Sequence, residues 1–192
     1  MSITGGILAG GEGRRFGGAD KGLLEYQGRA FVEHVHAALA PQVDEIVISA
    51  NRNLTRYAAL GHPVVTDDVG RGPAAGLLRL LETANHPWIL CVPCDALRLP
   101  PTLARDMLDA QWAEESDIVL LHDGSHVHPT CCLVLRGLAP DLRKYLEDGH
   151  GALWRWQTRH RVAQLPCPSP LVNVNDAGAL AALLDTGTRG QA

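Results

Sequence analysis

The run Ser2-Ile3-Thr4-Gly5-Gly6-Ile7-Leu8-Ala9-Gly10-Gly11-Glu12-Gly13-Arg14-Arg15-Phe16-Gly17-Gly18-Ala19-Asp20-Lys21-Gly22 decides how the rest of the chain is read. Residues 2–9 are rich in β-branched and small apolar side chains, which predicts a buried strand, and they run directly into a glycine cluster. Glycines let backbone N–H groups wrap phosphate oxygens, and Arg15 and Lys21 bring compensating positive charge to the same loop. The combination points to a cradle for a nucleoside triphosphate. Two familiar alternatives fail on inspection. A Walker loop needs Gly before its Lys and Ser or Thr after it, whereas Asp20 and Gly22 flank Lys21; a dinucleotide fingerprint starting at Gly11 needs Gly or Ala where Phe16 stands.

Downstream of the loop, strands and amphipathic helices alternate. Residues 29–39 carry Phe31, Val32, Val35 and Leu39 at helical spacing, and Pro41 marks the end. A strand over 45–50, a short helix over 53–60 and a strand over 63–66 follow, the last stopping at Asp67 and Asp68. Pro73 suits a first helical turn, and Leu77, Leu80 and Leu81 give a helix over 74–84 its apolar face. The continuous apolar run 88–92 reads as a parallel strand covered on both faces, and it too ends at an aspartate, in Pro93-Cys94-Asp95. A helix over 103–112, a strand over 117–121, a turn at Asp123-Gly124 and a strand over 127–135 come next, this pair supplying an antiparallel member. Helices over 139–147 and 152–158, strands over 162–165 and 171–174 and a helix over 177–184 complete the pattern. The expectation is one three-layer α/β/α Rossmann-like domain over residues 1–185, its sheet mostly parallel with one antiparallel strand, and a flexible tail over 186–192. Ligands of such sheets bind beyond the carboxyl ends of the strands, where the glycine loop and the aspartates fall.

Composition narrows the partners. At 192 residues and 46% hydrophobic content the chain can bury a sizeable core. Its 17 Lys and Arg against 21 Asp and Glu, a net charge of -4, provide no basic field for nucleic acid. No apolar stretch approaches the roughly 20 residues of a membrane helix, so no membrane partner and a cytoplasmic location are expected. Five irregularly spaced Cys read as small core residues; Cys91 and Cys94 have CxxC spacing but lack a second pair, and Cys131 and Cys132 point to opposite faces of a strand. His126 and His128 are spaced to share a strand face.

The segment from Leu8 to Gly17 resembles the LAGGxGxRMG part of the nucleotidyltransferase loop, with Lys21 as the lysine that follows it and Phe16 where the family usually has Met. Further matches are Ser49-Ala50-Asn51-Arg52, Asp67, Gly72-Pro73 with Ala75-Gly76, Cys91 to Asp95 followed by Pro100-Pro101, His128-Pro129-Thr130 and Val172-Asn173-Val174-Asn175. Together they make the chain resemble the molybdenum cofactor guanylyltransferase family. The resemblance implies the nucleotidyltransferase version of the fold, GTP and molybdopterin (Mo-molybdopterin) as substrates, and Mg²⁺ as cofactor. Transient contact with molybdenum-cofactor synthesis proteins and acceptor apoenzymes is implied as well. Arg15, Lys21 and Asp95 are then the catalytic candidates, Asp95 also holding the metal, as suits a strand-end carboxylate facing a polyphosphate. Leu8, Ala9, Gly10, Gly11, Gly13, Lys21, Asn51, Asp67, Gly72 and Asp95 are the GTP-binding candidates, with Asp68 beside Asp67 and Ser49 beside Asn51 as open alternatives. His128, Asn173 and Asn175 are expected near the pterin, the two asparagines sharing one face. Rival readings are a cytidylyltransferase for the same pterin, a sugar-phosphate nucleotidyltransferase, and a non-catalytic cofactor carrier. Gly10-Gly11 favours the guanylyl branch, since the cytidylyl branch resembles LAAG.

Overall fold

The computed structural model describes residues 2–9 and 18–167. In chain order the elements are β1 (Ile3–Leu8), β2 (Glu25–Tyr26), β3 (Arg29–Ala30), α1 (Phe31–Leu39), β4 (Glu45–Ser49), α2 (Leu54–Ala58), β5 (Val64–Val65), α3 (Pro73–Thr83), β6 (Trp88–Pro93), α4 (Leu103–Glu114), β7 (Ile118–His122), β8 (Val127–Leu135), α5 (Ala139–Glu147), α6 (Leu153–Gln157) and β9 (Val162–Pro166). Seven strands form one sheet in the order β5-β4-β1-β6-β8-β7-β9. All neighbours are parallel except β8, which runs antiparallel to both β6 and β7. The expected architecture, mostly parallel with one reversed strand, is therefore the observed one. Because β1 lies between β4 and β6, the chain leaves it to one side and later returns to its other side, which opens a crevice at its carboxyl end.

Alternation along the strands builds two cores. Ile46 and Ile48 of β4, Leu90 and Val92 of β6, and Val119 and Leu121 of β7 face a layer formed by α1, Tyr57 of α2 and α4. Val47, Ile89, Cys91, Ile118 and Leu120 face α3, α5 and α6 on the other side. Helix α3 inserts Leu77, Leu78, Leu80 and Leu81, all fully buried, each contributing about 1.5–3 kcal/mol. Among the described residues no helix is long and apolar enough to cross a membrane.

The helix expected over 29–39 begins at Phe31. Arg29 and Ala30 instead pair with Glu25 and Tyr26 in a small antiparallel ladder, and the Glu33 carboxylate accepts the Ala30 N–H at 2.6 Å to cap α1. Two-residue strands are too short to register as a hydrophobic period. His126 lies in the β7–β8 turn rather than on the strand, since β8 starts at Val127. The expected strand over 171–174, the helix over 177–184 and the tail over 186–192 fall outside the described residues.

Candidate active site at the carboxyl edge of the sheet

The hydrogen-bond ladder continues past the strand ends: Ala50 N donates to Val65 O (2.9 Å), Ala9 N to Ser49 O (2.7 Å) and Cys94 N to Leu8 O (2.9 Å). Leu8, Ala9, Asn51 and Asp95 are thereby set side by side along one edge. Asp95, 6% exposed, follows Cys94 in a tight turn in which Ala96 N donates to Pro93 O and Leu97 N to Asp95 O. From 74 residues away Lys21 donates its Nζ to the Asp95 carboxylate. A cation and a carboxylate that the resemblance implies as catalytic candidates thus form one ion pair. The neighbouring Cys94 thiol is pushed well up by burial, and further by the charge of Asp95, so it remains a neutral thiol. Cys91 packs in the opposite core, so the CxxC spacing brings no two sulfurs to one site; Cys131 and Cys132 likewise divide between the cores, as their adjacency predicts.

Lys21 opens a single 3-10 turn over Lys21–Leu23 whose cap is Asp20. Asp20 is 8% exposed and its carboxylate accepts from the Tyr57 hydroxyl (2.6 Å), Asn53 Nδ2 (2.9 Å) and Gly22 N (3.3 Å), with Arg52 Nε at 3.5 Å. Arg52 also donates from one guanidinium nitrogen to Gly18 O (2.9 Å) and from the other to Ala19 O (2.8 Å). Gly22 is required here because a Cβ at that position would stand 2.5 Å from the Tyr57 hydroxyl. None of Asp20, Arg52, Asn53 or Tyr57 emerges as a candidate from local sequence, although Arg52 lies inside a matched motif.

On the other flank Asn51 and Asp67 lock together reciprocally: Asn51 Nδ2 donates to Asp67 Oδ2 (2.8 Å) and Asp67 N donates to Asn51 Oδ1 (2.9 Å). Asp67 Oδ1 is left buried with no partner among the described residues. Burial raises the Asp67 carboxyl above its ordinary value, the Asn51 hydrogen bond only partly opposing it. Asp68 is engaged elsewhere, with Arg143 at 3.2 Å and Arg79 at 3.6 Å; burial works to raise its carboxyl, but the Arg143 hydrogen bond and the charges of Arg79 and Arg143 together outweigh it and the net shift is downward. Asp67 therefore keeps one oxygen without a partner among the described residues, while Asp68 braces α3 to α5. Ser49, at 2% exposed, sits beneath the edge, whereas Asn51 is exposed. Gly72 caps α3 at φ 80° and ψ -166°, a conformation open to glycine alone, and so brings bare backbone to the same flank.

His128 lies two strands from β1, at the start of β8, where its Nε2 meets Asp123 Oδ2 at 2.7 Å. Asp123 also accepts the Ser125 and His126 N–H groups (2.9 and 2.8 Å), which pull its carboxyl below the usual range and close the turn. Beside it the pairing of β8 slips, Leu120 facing Cys132 and Leu121 facing His128, and Gln157 Nε2 anchors the displaced backbone at Pro129 O (2.8 Å). Arg15, Gly10, Gly11, Gly13, Asn173 and Asn175 lie outside the described residues. A shallow cavity of about 700 Å³, lined by Trp88, Gln111, Trp112, Ser116, Asp117 and Arg161 among others, opens at the opposite, amino end of the sheet and contains no candidate residue.

The chain is similar to known proteins over most of its length. A curated relative from Pasteurella multocida named molybdenum cofactor guanylyltransferase is 38% identical over 175 residues, covering 88% of this chain and 93% of its own. One of the same name from Shewanella sp. strain W3-18-1 is 40% identical over 174 residues, covering 88% and 89%. Among solved structures, a molybdopterin-guanine dinucleotide biosynthesis protein A from Archaeoglobus fulgidus superimposes with a TM-score of 0.78 at 17% identity, covering 97% of this chain and 99% of that one. A 4-diphosphocytidyl-2C-methyl-D-erythritol synthase from Anaerococcus prevotii reaches 0.77 at 12%, covering 98% and 99%. The two superpositions are nearly equal, so the backbone alone marks a shared nucleotidyltransferase fold. Residues 5–165 match the family described as the MobA-like NTP transferase domain, and the chain belongs to that family.

Proposed function

We propose that the chain transfers GMP from GTP to the terminal phosphate of molybdopterin, releasing pyrophosphate and forming the guanine dinucleotide of the cofactor. The observation that carries this reading is the order of groups along the carboxyl edge. From β5 to β8 there are four strand steps of about 4.8 Å, roughly 19 Å in all. Along that line stand the Asn51–Asp67 pair, the end of β1 where the glycine loop begins, the Lys21–Asp95 pair, and then His128 with Asp123. A nucleoside at Asp67, its phosphates over β1 and β6, and an acceptor phosphate arriving from the β8 side make an extended substrate pair in that order.

The acceptor phosphate is already anionic and needs no strong base. Catalysis then consists of alignment with the α-phosphate and stabilisation of charge on the leaving pyrophosphate. Asp67 Oδ1 accepts a donor of the base or ribose, and the backbone at Gly72 lets the nucleoside approach closely. Lys21, held on Asp95 without ligand, exchanges onto phosphate oxygens when a triphosphate enters, and Arg15 adds charge from the same loop. The donor set suits Mg²⁺: Asp95 offers a hard carboxylate at a strand end, and magnesium is commonly held by one or two carboxylates together with substrate phosphates and waters. When bound there, the ion supplies positive charge to the phosphates undergoing transfer. His128, Asn173 and Asn175 belong to the acceptor side in this reading, which places the reaction in the cytoplasm, where cofactor-synthesis proteins would supply the acceptor and apoenzymes receive the product.

Pyrophosphate release by the purified protein with Mg²⁺ and a molybdopterin-containing acceptor, comparing GTP, CTP and ATP, tests the reading. GTP-selective release that requires the acceptor is expected. CTP selectivity would assign the chain to a cytidylyl activity, and tight nucleotide binding without release would make it a carrier.

A further inference from the structure

The short segment after β4 is built to hold two separated parts of the site at once. Asn51 grips Asp67 on the β5 side (2.8 and 2.9 Å), while Arg52, Asn53 and Tyr57 grip the limb that carries Lys21 on the other. Arg52 meets three consecutive residues of that limb, the carbonyls of Gly18 and Ala19 and the carboxylate of Asp20, at 2.9, 2.8 and 3.5 Å. Such a planar, permanently charged fork fixes orientation in a way a single point charge cannot. Asp20 relays the grip inward: its carboxylate, 8% exposed, accepts the hydroxyl of Tyr57, which is fully buried among the side chains beneath β4 and α1. Burial and the Asp20 hydrogen bond push the Tyr57 phenol up, so its proton stays in place as a donor. Lys21 is the next residue, and its ammonium is thereby delivered to Asp95.

We propose that Arg52 is a positioning residue: by clasping residues 18–20 to the core through Asp20 and Tyr57, it sets the register in which Lys21 meets the triphosphate. The inference rests on the functional reading above, in which Lys21 contacts GTP phosphates. Arg52 itself touches no substrate in this scheme and acts through Lys21. A residue that works only through another loses its effect once that other is removed, so the two truncations are not independent.

The test is a double-mutant cycle read by equilibrium binding: the GTP concentration giving half-maximal thermal protection in Mg²⁺, for the unaltered chain, Arg52→Ala, Lys21→Ala and the double variant. Arg52→Ala alone is expected to weaken GTP binding about 10-fold, consistent with losing charge-assisted hydrogen bonds to the limb, and under about 2-fold when Lys21 is already Ala. Arg52→Lys, which keeps the charge but not the fork, is expected to fall between the two and serves as the probe if the alanine variant fails to fold. Losses that simply multiply would show that Arg52 meets the ligand independently and would overturn the positioning role. Full affinity in both Arg52 variants would overturn it as well. Failure of the unaltered chain to bind GTP at all would overturn the functional reading, and this inference with it.

Discussion

The two ends of the sheet use the same side chains for opposite purposes. At the amino end every carboxylate named here accepts hydrogen bonds from groups of the fold itself. Glu45 accepts from Thr4 Oγ1 (2.7 Å), Asn85 N (3.0 Å) and Asn85 Nδ2 (2.6 Å); Asp44 accepts Ile3 N (2.8 Å); Asp117 takes both arms of Arg161 (2.9 and 3.1 Å). At the carboxyl end Asp67 keeps one buried oxygen without a partner among the described residues, and Asp95 faces a cation that a polyphosphate would attract. The titration shifts follow the same division. Burial works to raise the Glu45 carboxyl, but the Asn85 and Thr4 hydrogen bonds outweigh it and the net shift is downward; for Asp67 burial wins and the shift is upward. A buried acceptor left unfilled costs stability, which a ligand that fills it returns as affinity.

The contrast breaks first at Asp95. Asp95→Asn should reduce pyrophosphate release at least about 100-fold with little change in melting temperature; retention of a tenth of the rate would remove Asp95 from the metal-binding role. Next in size, Glu45→Ala should destabilise the chain by about 1–3 kcal/mol in urea unfolding while leaving GTP protection intact, and an equal loss of nucleotide binding would erase the distinction between the two ends. Because the folded Glu45 carboxyl is lowered, its contribution is present above its unfolded pKa and is lost as pH falls through the lower folded value. Glu45→Gln should therefore flatten the loss of stability on acidification below the ordinary carboxylate range.

A smaller and opposite response is expected at Asp67. Its raised carboxyl makes it a destabilising charge above the folded pKa, a penalty relieved as pH falls toward the unfolded value. Asp67→Asn should leave unfolding free energy at neutral pH unchanged or slightly higher, yet weaken GTP protection about 5- to 10-fold. A stability loss as large as that of Glu45→Ala would mean that Asp67 is a structural brace. The smallest effect belongs to the amino-end cavity: Trp112, 78% exposed, should change to Ser within about 0.5 kcal/mol and without altering nucleotide binding. A drop in GTP affinity there would draw that face into the function.

Much of this was legible along the chain. Apolar alternation, the prolines near helix starts and the strand-ending aspartates sufficed for the order of the main elements, because period and turn chemistry are local properties. Asp123 as a turn residue and the opposed faces of Cys131 and Cys132 followed for the same reason. The β2–β3 ladder escaped because two residues carry no period. Asp67 and Asp68 could not be separated by adjacency; a guanidinium 75 residues away does so, by taking Asp68.

Residue order and composition alone establish that a glycine-rich, cationic loop follows a buried strand, that two further strands end at aspartates, and that no large basic field is present. These are properties of neighbours, set by steric and charge rules acting over a few residues. Which oxygen stays open, which cation is clasped and which is presented, and that Asp20 is a buried hub with partners 33 and 37 residues away, depend on chain segments meeting in space. Desolvation and hydrogen-bond geometry arise only when those segments pack, so folding turns one aspartate into a brace and its neighbour into an open acceptor.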